Sequence, residues 1–337
     1  MANGYDAIVI GTGQAGPTLA ADLAGAGKRV AIVERHRFGG TCVNVGCIPT
    51  KALVASARAA HVARRAAEYG VVIDGEVRVD MTRVKARKDA IVRQSNEGLE
   101  RWLKGLDNCT VFEGHARFET PHQIRVGDQL LDADQIFVNV GARAYIPPLP
   151  GLDDVPYLTN SGIMRVDTLP DHLVIIGGGY IGLEFAQMYR RFGSRVTLIE
   201  MGDRLIRRES EDISSAVLEI LEAEGIEVRL NAECLRVEPR AGGIAAGVAC
   251  ADGSPHVEGS HLLIAVGRRP NTDDLGLDAA GLDTDARGHI RVDDALQTNV
   301  PGIWALGGVM AAALSPTPRT TTTKSSRPTC CMATRGA

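Results

Sequence analysis

Aromatic residues are scarce in this sequence, at 4% of 337. No apolar run approaches the roughly 20 residues that a membrane-spanning helix needs, so no membrane anchor is read. Neither charge sign is in excess. The formal net charge of −4 gives no reason to expect a nucleic-acid partner. No charged segment precedes Asp6-Ala7-Ile8-Val9-Ile10, which already reads as a core strand, so no signal peptide is read. Cysteine lacks a regular pattern. Seven of them, an odd number in a long chain, point to a reducing compartment and a cytoplasmic protein. Before the tail there is no second closely spaced cysteine pair to complete a zinc site.

What is present is apolar material for packed cores, 45% of the chain, and length for two or three domains. The chain is organised around Gly39-Gly40-Thr41-Cys42-Val43-Asn44-Val45-Gly46-Cys47-Ile48-Pro49-Thr50-Lys51. On an ideal helix, residues five apart lie about 140° around and about 7.5 Å along the axis. A disulfide needs Cα atoms about 4.4–6.8 Å apart. A Cys42–Cys47 bridge therefore demands a distorted turn. Gly46 permits one, and Pro49 disfavours regular helix just before itself. Spacing alone leaves three readings open: a redox-active pair, a zinc half-site, or two core cysteines.

A second pattern occurs twice. Ala7-Ile8-Val9-Ile10 reads as a buried parallel strand. It is followed by the turn Gly11-Thr12-Gly13-Gln14-Ala15-Gly16, a helix from Pro17 to Ala24, and a strand from Arg29 to Val33 closed by Glu34. Leu173-Val174-Ile175-Ile176 repeats the order through Gly177-Gly178-Gly179-Tyr180-Ile181-Gly182, a helix from Leu183 to Phe192, and Val196-Thr197-Leu198-Ile199 closed by Glu200. Strand, glycines, helix, strand and acid in this order form the dinucleotide-binding fingerprint. The glycines let the backbone approach a pyrophosphate at a helix N-terminus, and each acid can accept hydrogen bonds from a ribose. Two copies in one register imply two dinucleotides.

The cysteine segment resembles the active-site signature of the pyridine nucleotide–disulfide oxidoreductases, which include glutathione reductase, dihydrolipoamide dehydrogenase and mercuric reductase. The resemblance runs from about Tyr5 to Gly307. It implies an α/β fold with two Rossmann-like domains, FAD in the first and a nicotinamide cofactor in the second. Electrons would pass from NAD(P)H through flavin to a Cys42–Cys47 disulfide and on to a small-molecule disulfide-type acceptor. By resemblance, Cys47 is the thiol beside the flavin and Cys42 the one that exchanges with substrate. Lys51 would stand beside the flavin and pair with Glu184, and Tyr180 would gate the nicotinamide. The resemblance extends cofactor contacts to Arg35, Thr41, Gly114, Ala116, Gly141, Ile181, Gly267 and Arg268. Glu200 favours NAD over NADP, because a carboxylate repels a 2′-phosphate. Arg204, Arg207 and Arg208 stand near enough in sequence to oppose that preference.

The implied organisation is a first FAD-binding part at 1–148, a NAD(P)-binding domain at 149–267, and a return segment at 268–308. The Pro147-Pro148-Leu149-Pro150 run marks the first boundary. Residues 50–69 and 80–105 read as helices, with Arg58, Arg64, Arg65, Lys85, Arg87 and Lys88 on a solvated face. His256 and His261 read as surface residues in a polar loop. The family places Gly-Asp near the flavin after the strand ending at Gly307, whereas Gly308 is followed here by Val309. The tail from Val309 is low-complexity. Read from the third base of the valine codon, with suitable wobble bases, the same DNA gives Asp-Gly-Arg-Gly-Ala-Phe-Thr-His-Thr. Residues beyond about Gly308 therefore read as out of frame, and the family's interface domain, with its histidine–glutamate pair, as missing. The full-length form reads as a homodimer and this chain as a monomer. Two alternatives stand beside the disulfide reading: an inactive nucleotide-binding fragment, or a mercuric reductase-like enzyme. Cys330-Cys331 forms a vicinal pair of the kind that binds soft metals, but its place in the tail argues against a metal site.

Overall fold

Apolar runs stopped by glycine, Ala7-Ile8-Val9-Ile10 before Gly11 and Leu173-Val174-Ile175-Ile176 before Gly177, build a central strand in each half. The computed structural model describes residues 3–249 and 255–310. Asn3–Ile10, Val30–Glu34, Cys109–Glu113 and Gln129–Val138 form the parallel part of a seven-stranded first sheet. Ala116–Thr120 and Gln123–Val126 extend it with antiparallel pairing, and Ile303–Ala305 pairs in parallel with Gln129–Val138. Successive side chains point to opposite faces. Ile8 and Ile10 enter a core with Phe118, Ile136 and Ile303. Val9 and Ile32 enter another with Ala20, Ala24 and Leu103, from the helices Gly16–Gly25 and Met81–Lys104.

The second sheet is wholly parallel, with Glu227–Arg229, Arg195–Ile199, His172–Ile176, His261–Ile264 and Tyr157–Leu158 in spatial order. Leu173 and Ile175 face Phe185, Tyr189 and Phe192 of the helix Tyr180–Phe192. Val174 and Ile176 face Val237, Ile244, Val248 and Val257. Those four residues come from an antiparallel ribbon of Glu233–Arg240, Gly243–Ala249 and His256–Gly259. Each fully buried branched side chain contributes about 1.5–3 kcal/mol, so both faces of this sheet are firmly covered. The chain leaves the first sheet at Ala142–Ala144 and returns at Arg268–Pro270, and these two short strands pair antiparallel.

The helix Cys47–Arg64 joins the two halves. Leu53 and Ala57 of this helix belong to the same core cluster as Leu173 and Ile175. Of the basic residues expected on a solvated face, Arg58 and Arg65 are exposed, whereas Lys88 and Arg64 take part in this joint. Lys88 is 4% exposed, donates to the Met164 carbonyl at 2.6 Å, and pairs with Asp89. A buried ammonium must be paired or hydrogen-bonded, and the second half of the chain supplies that partner. Arg87 donates to the Ala52 carbonyl, and Arg64 to the carbonyls of Arg191 and Phe192. The expected helix over 50–69 begins earlier, at Cys47, and ends at Arg64, with a separate 3-10 turn at Ala66–Tyr69. Pro49 opens this helix rather than interrupting it, because a first-turn residue needs no intrahelical N–H bond. His256 and His261 lie on strands, not in a loop, and His261 is half-buried. Among the described residues no helix is long and apolar enough to cross a membrane. The expectations about the tail beyond Met310, including Cys330 and Cys331, fall outside the described residues.

Candidate active site

The two glycine turns are built alike. Gly11 (φ +102°) and Gly177 (φ +114°) hold a backbone conformation that side chains rarely adopt. A Cβ on either would lie 2.5 Å from a backbone oxygen, of Asn139 and Ala265 respectively. A Cβ on Gly16 would fall 2.2 Å from the Gly11 carbonyl oxygen, and one on Gly182 would fall 2.1 Å from that of Gly177. Each helix therefore starts hard against its strand. The two acids also match. Glu34 accepts the Thr12 N–H at 3.0 Å and hydroxyl on Oε2, and the His36 N–H at 2.9 Å on Oε1. Glu200 accepts the Gly178 N–H at 2.7 Å on Oε2 and the Gly202 N–H at 2.8 Å on Oε1. Both carboxylates are thus held beside their turns at the carboxyl ends of the strands, where open α/β sheets receive ligands.

A cavity of about 820 Å³ opens beside the first turn. Its wall includes Gly11, Gly13, Gln14, Ala15, Glu34, Arg35, Thr41, Cys42 and Cys47. Gly114, Ala116, Gly141 and Arg268 complete the sequence-expected part of that wall. Gly16 is buried behind the turn, and Lys51 is absent from the wall. Gly177, Gly179, Tyr180, Ile181, Gly182 and Glu200 gather instead at the second turn. Gly267 sits at the joint between the two halves, where its carbonyl accepts the Tyr145 N–H.

The cysteines stand on either side of a break between two helices. A five-residue helix, Gly40–Asn44, carries Cys42, and the helix Cys47–Arg64 starts with Cys47. Between them Gly46 takes φ −129° and ψ −121°, and a Cβ there would lie 2.8 Å from the Thr41 carbonyl oxygen. That close approach folds the chain back and brings both thiols to one cavity. Cys42 is half-buried and Cys47 exposed. Arg268 shares the wall and donates to the Ala142 carbonyl and, at 3.5 Å, to the Thr41 hydroxyl. Burial pushes its guanidinium pKa down, and the nearby Cys47 sulfur opposes that shift.

Lys51 and Glu184, expected to pair, do so. Tyr180 is exposed, and its hydroxyl donates to Glu209, which raises the phenol pKa. The position after Gly308 is also defined. Gly307 and Gly308 line the cavity, but Val309 is fully buried in the apolar core of the first sheet.

Several supporting residues escape sequence reading. Asn44 donates to the carbonyls of Phe38 and Gly40, and Asn96 to Phe38 and to the Asn44 side chain. Asn160 reaches the Val45 carbonyl from the second half. Polar residues of this kind carry no periodic signal, and only the fold reveals their partners.

A family model described as pyridine nucleotide-disulphide oxidoreductase matches residues 5–328. The chain belongs to this family. The match extends past Gly307, where the sequence reading placed its end. Among curated relatives, mercuric reductase of Streptomyces lividans is 39% identical over 311 residues, covering 91% of this chain and 65% of that protein. Dihydrolipoyl dehydrogenase of Acholeplasma laidlawii is 34% identical over 316 residues, covering 92% of this chain and 91% of that protein. The solved structure of the HOCl-induced flavoprotein disulfide reductase RclA from Escherichia coli, as a Cu(II) complex, superposes with a TM-score of 0.81 at 36% identity. The superposition covers 91% of this chain and 66% of that one. The chain thus spans just under two thirds of the length of the mercuric reductase and of RclA.

Proposed function

We propose that this chain forms the nucleotide-binding and dithiol part of a FAD-dependent oxidoreductase that draws electrons from NAD(P)H and delivers them to a disulfide-type acceptor. The observation that carries this reading is the shared wall: Cys42 and Cys47 face the same cavity as the first glycine turn and Glu34. We assign residues 1–148 and 268–308 to FAD binding, residues 149–267 to the nicotinamide cofactor, and the working location to the cytoplasm.

The residues present fit a dinucleotide. Gly11 and Gly16 leave no room for a side chain and hold the turn tight against its strand, so a pyrophosphate can approach the start of the following helix. Glu34 would take the adenosine ribose, with Gly114, Ala116 and Gly141 along the wall. Bound there, FAD supplies a ring that accepts hydride and hands electrons to sulfur. The chain's own residues do the rest. Cys42 and Cys47 cycle between dithiol and disulfide. Arg268 places a half-buried cation on the same wall as Cys47. Lys51 and Glu184 connect the dithiol helix to the second turn. Tyr180, exposed at that turn, stands where the nicotinamide would enter. NAD is favoured over NADP, since Glu200 is fixed by two amides and Arg207 is engaged by Asp203.

The test is to purify the chain, add FAD, and titrate anaerobically with NADH and NADPH. Flavin absorbance should persist through desalting, and NADH should bleach it more efficiently than NADPH. Cys47→Ser should lose the long-wavelength thiolate-to-flavin absorbance, and Cys42→Ser should keep it. A protein that retains no flavin overturns the reading. The identity to a mercuric reductase supports a second reading, with mercuric ion as acceptor. Mercury-dependent oxidation of the nicotinamide, exceeding that with lipoamide or glutathione disulfide, would select it.

A further inference from the structure

Thr12, the second residue of the first glycine turn, is fully buried. Its hydroxyl has one proton and gives it to Glu34 Oε2 at 2.5 Å. Its oxygen in turn accepts the Gly39 N–H at 3.1 Å. Gly39 immediately precedes the helix Gly40–Asn44, which carries Cys42. A single chain of hydrogen bonds therefore runs from the amide that opens the cysteine segment, through Thr12, to the carboxylate of the first dinucleotide site. Successive hydrogen bonds polarise one another, and a buried chain ending on a carboxylate is strong. The fit leaves little play: a Cβ on Gly40 would lie 3.0 Å from the Gly13 Cα.

The second turn is the internal control. There Gly178 occupies the position of Thr12, and Glu200 is held by backbone N–H groups without a hydroxyl. The hydroxyl occurs only in the unit that lies beside the cysteines. Its duty is therefore not required by the fold of the turn itself.

We propose that Thr12 is a positioning residue that registers the Cys42 segment against the FAD-site carboxylate, so that occupancy of the first cavity sets the placement of the thiols. This inference rests on the reading of that cavity as the FAD site. Removing the hydroxyl while keeping the shape leaves the buried Gly39 N–H without an acceptor and Glu34 without one donor, which is costly.

The test compares the parent chain with Thr12→Val and Thr12→Ser. Iodoacetamide alkylation of Cys42 is followed by peptide mass spectrometry, without FAD and at saturating FAD. In the parent chain and in Thr12→Ser, FAD should slow alkylation strongly. In Thr12→Val, FAD should bind about tenfold more weakly or worse, and even at saturation its protection of Cys42 should largely vanish. Equal protection in all three proteins overturns the proposal. Should Thr12→Val fail to fold, hydrogen exchange in the parent chain decides. The Gly39 amide should exchange slowly, and more slowly still with FAD; rapid exchange in both states overturns the proposal. If the parent chain binds no FAD, the reading of the cavity fails, and the FAD-free exchange of Gly39, together with its acceleration in Thr12→Val, decides the role of Thr12 separately.

Discussion

Lys51 and Glu184 form an ion pair that links the helix starting at Cys47 to the helix starting at the second glycine turn. Their side chains are 64% and 38% exposed, so the pair contributes at most about 1 kcal/mol to stability. Lys51→Met should therefore shift the unfolding free energy by less than about 1 kcal/mol. Reduction of bound FAD by NADH should slow at least about tenfold, because a fixed cation is lost between the two proposed cofactor sites. Chemical denaturation and anaerobic stopped-flow absorbance check the two halves of this expectation. A large loss of stability with unchanged reduction would reassign the pair to a structural role.

The matched glycines separate the two proposed nucleotide sites. Gly16→Ala and Gly182→Ala each drive a methyl group to within 2.2 Å or less of a carbonyl oxygen. Gly16→Ala should abolish FAD retention. Gly182→Ala should leave FAD bound and abolish NADH affinity. Flavin content after desalting and NADH fluorescence titration are the measurements. Loss of flavin from both variants would show that the two units do not act independently.

Arg35 lines the first cavity and pairs at 2.8 Å with Asp274, a residue of the return segment. His115, on the same wall, lies within 3.0 Å of the Asp274 carbonyl through Nε2. The contact ties the cavity wall to the return segment. Both side chains are partly exposed, so salt should weaken it. Asp274→Asn should speed FAD release about threefold at low ionic strength, and the difference from the parent chain should vanish at about 1 M salt. Flavin fluorescence on dilution measures the release rate.

Burial pushes the Cys109 thiol up and the Cys234 thiol up to about 11. Thiolate is the reactive form. At pH 8, iodoacetamide should label the exposed Cys47 well before Cys109 or Cys234, as peptide mapping would report. The sign for stability follows from the same shift. A raised Cys234 pKa favours the folded state fully below pH 9, the ordinary thiol value, and that advantage is lost as pH rises through about 11. Early labelling of Cys234 at pH 8 would contradict the burial seen here.

The parts of the molecule that demand a residue type at a fixed spacing are legible in the sequence. The turns at Gly11 and Gly177, their acids Glu34 and Glu200, and the break at Gly46 are of this kind, because backbone sterics leave few substitutes. The pairing of Lys51 with Glu184 is legible only through family resemblance, since nothing local connects residues so far apart. Lys88 misleads because a lysine on a long polar helix looks solvated until Met164 arrives from the other half. The antiparallel ribbon of Glu233–Arg240, Gly243–Ala249 and His256–Gly259 gives little signal, as Gly243–Ala249 is built largely from glycine and alanine. Thr12 sits at an unspecified position of its motif, and its importance comes from where Gly39 is delivered by the fold.

One consequence concerns the order in which the protein is made. Gln129–Val138 shares one of its edges between two partners: Gln123–Val126 along its first half and Ile303–Ala305 against Ile136, Phe137 and Val138. The first partner emerges from the ribosome just before the strand itself. The second emerges only after the whole second sheet has been synthesised. During that interval Ile136, Phe137 and Val138 present an unpaired, largely apolar edge, the kind of surface on which nascent chains associate. The hazard ends when Ile303, Trp304 and Ala305 dock, with Trp304 stacking on Phe137 at 5.0 Å. A few residues near the end of the described chain thus decide whether the earliest-made sheet closes on itself or on a neighbour.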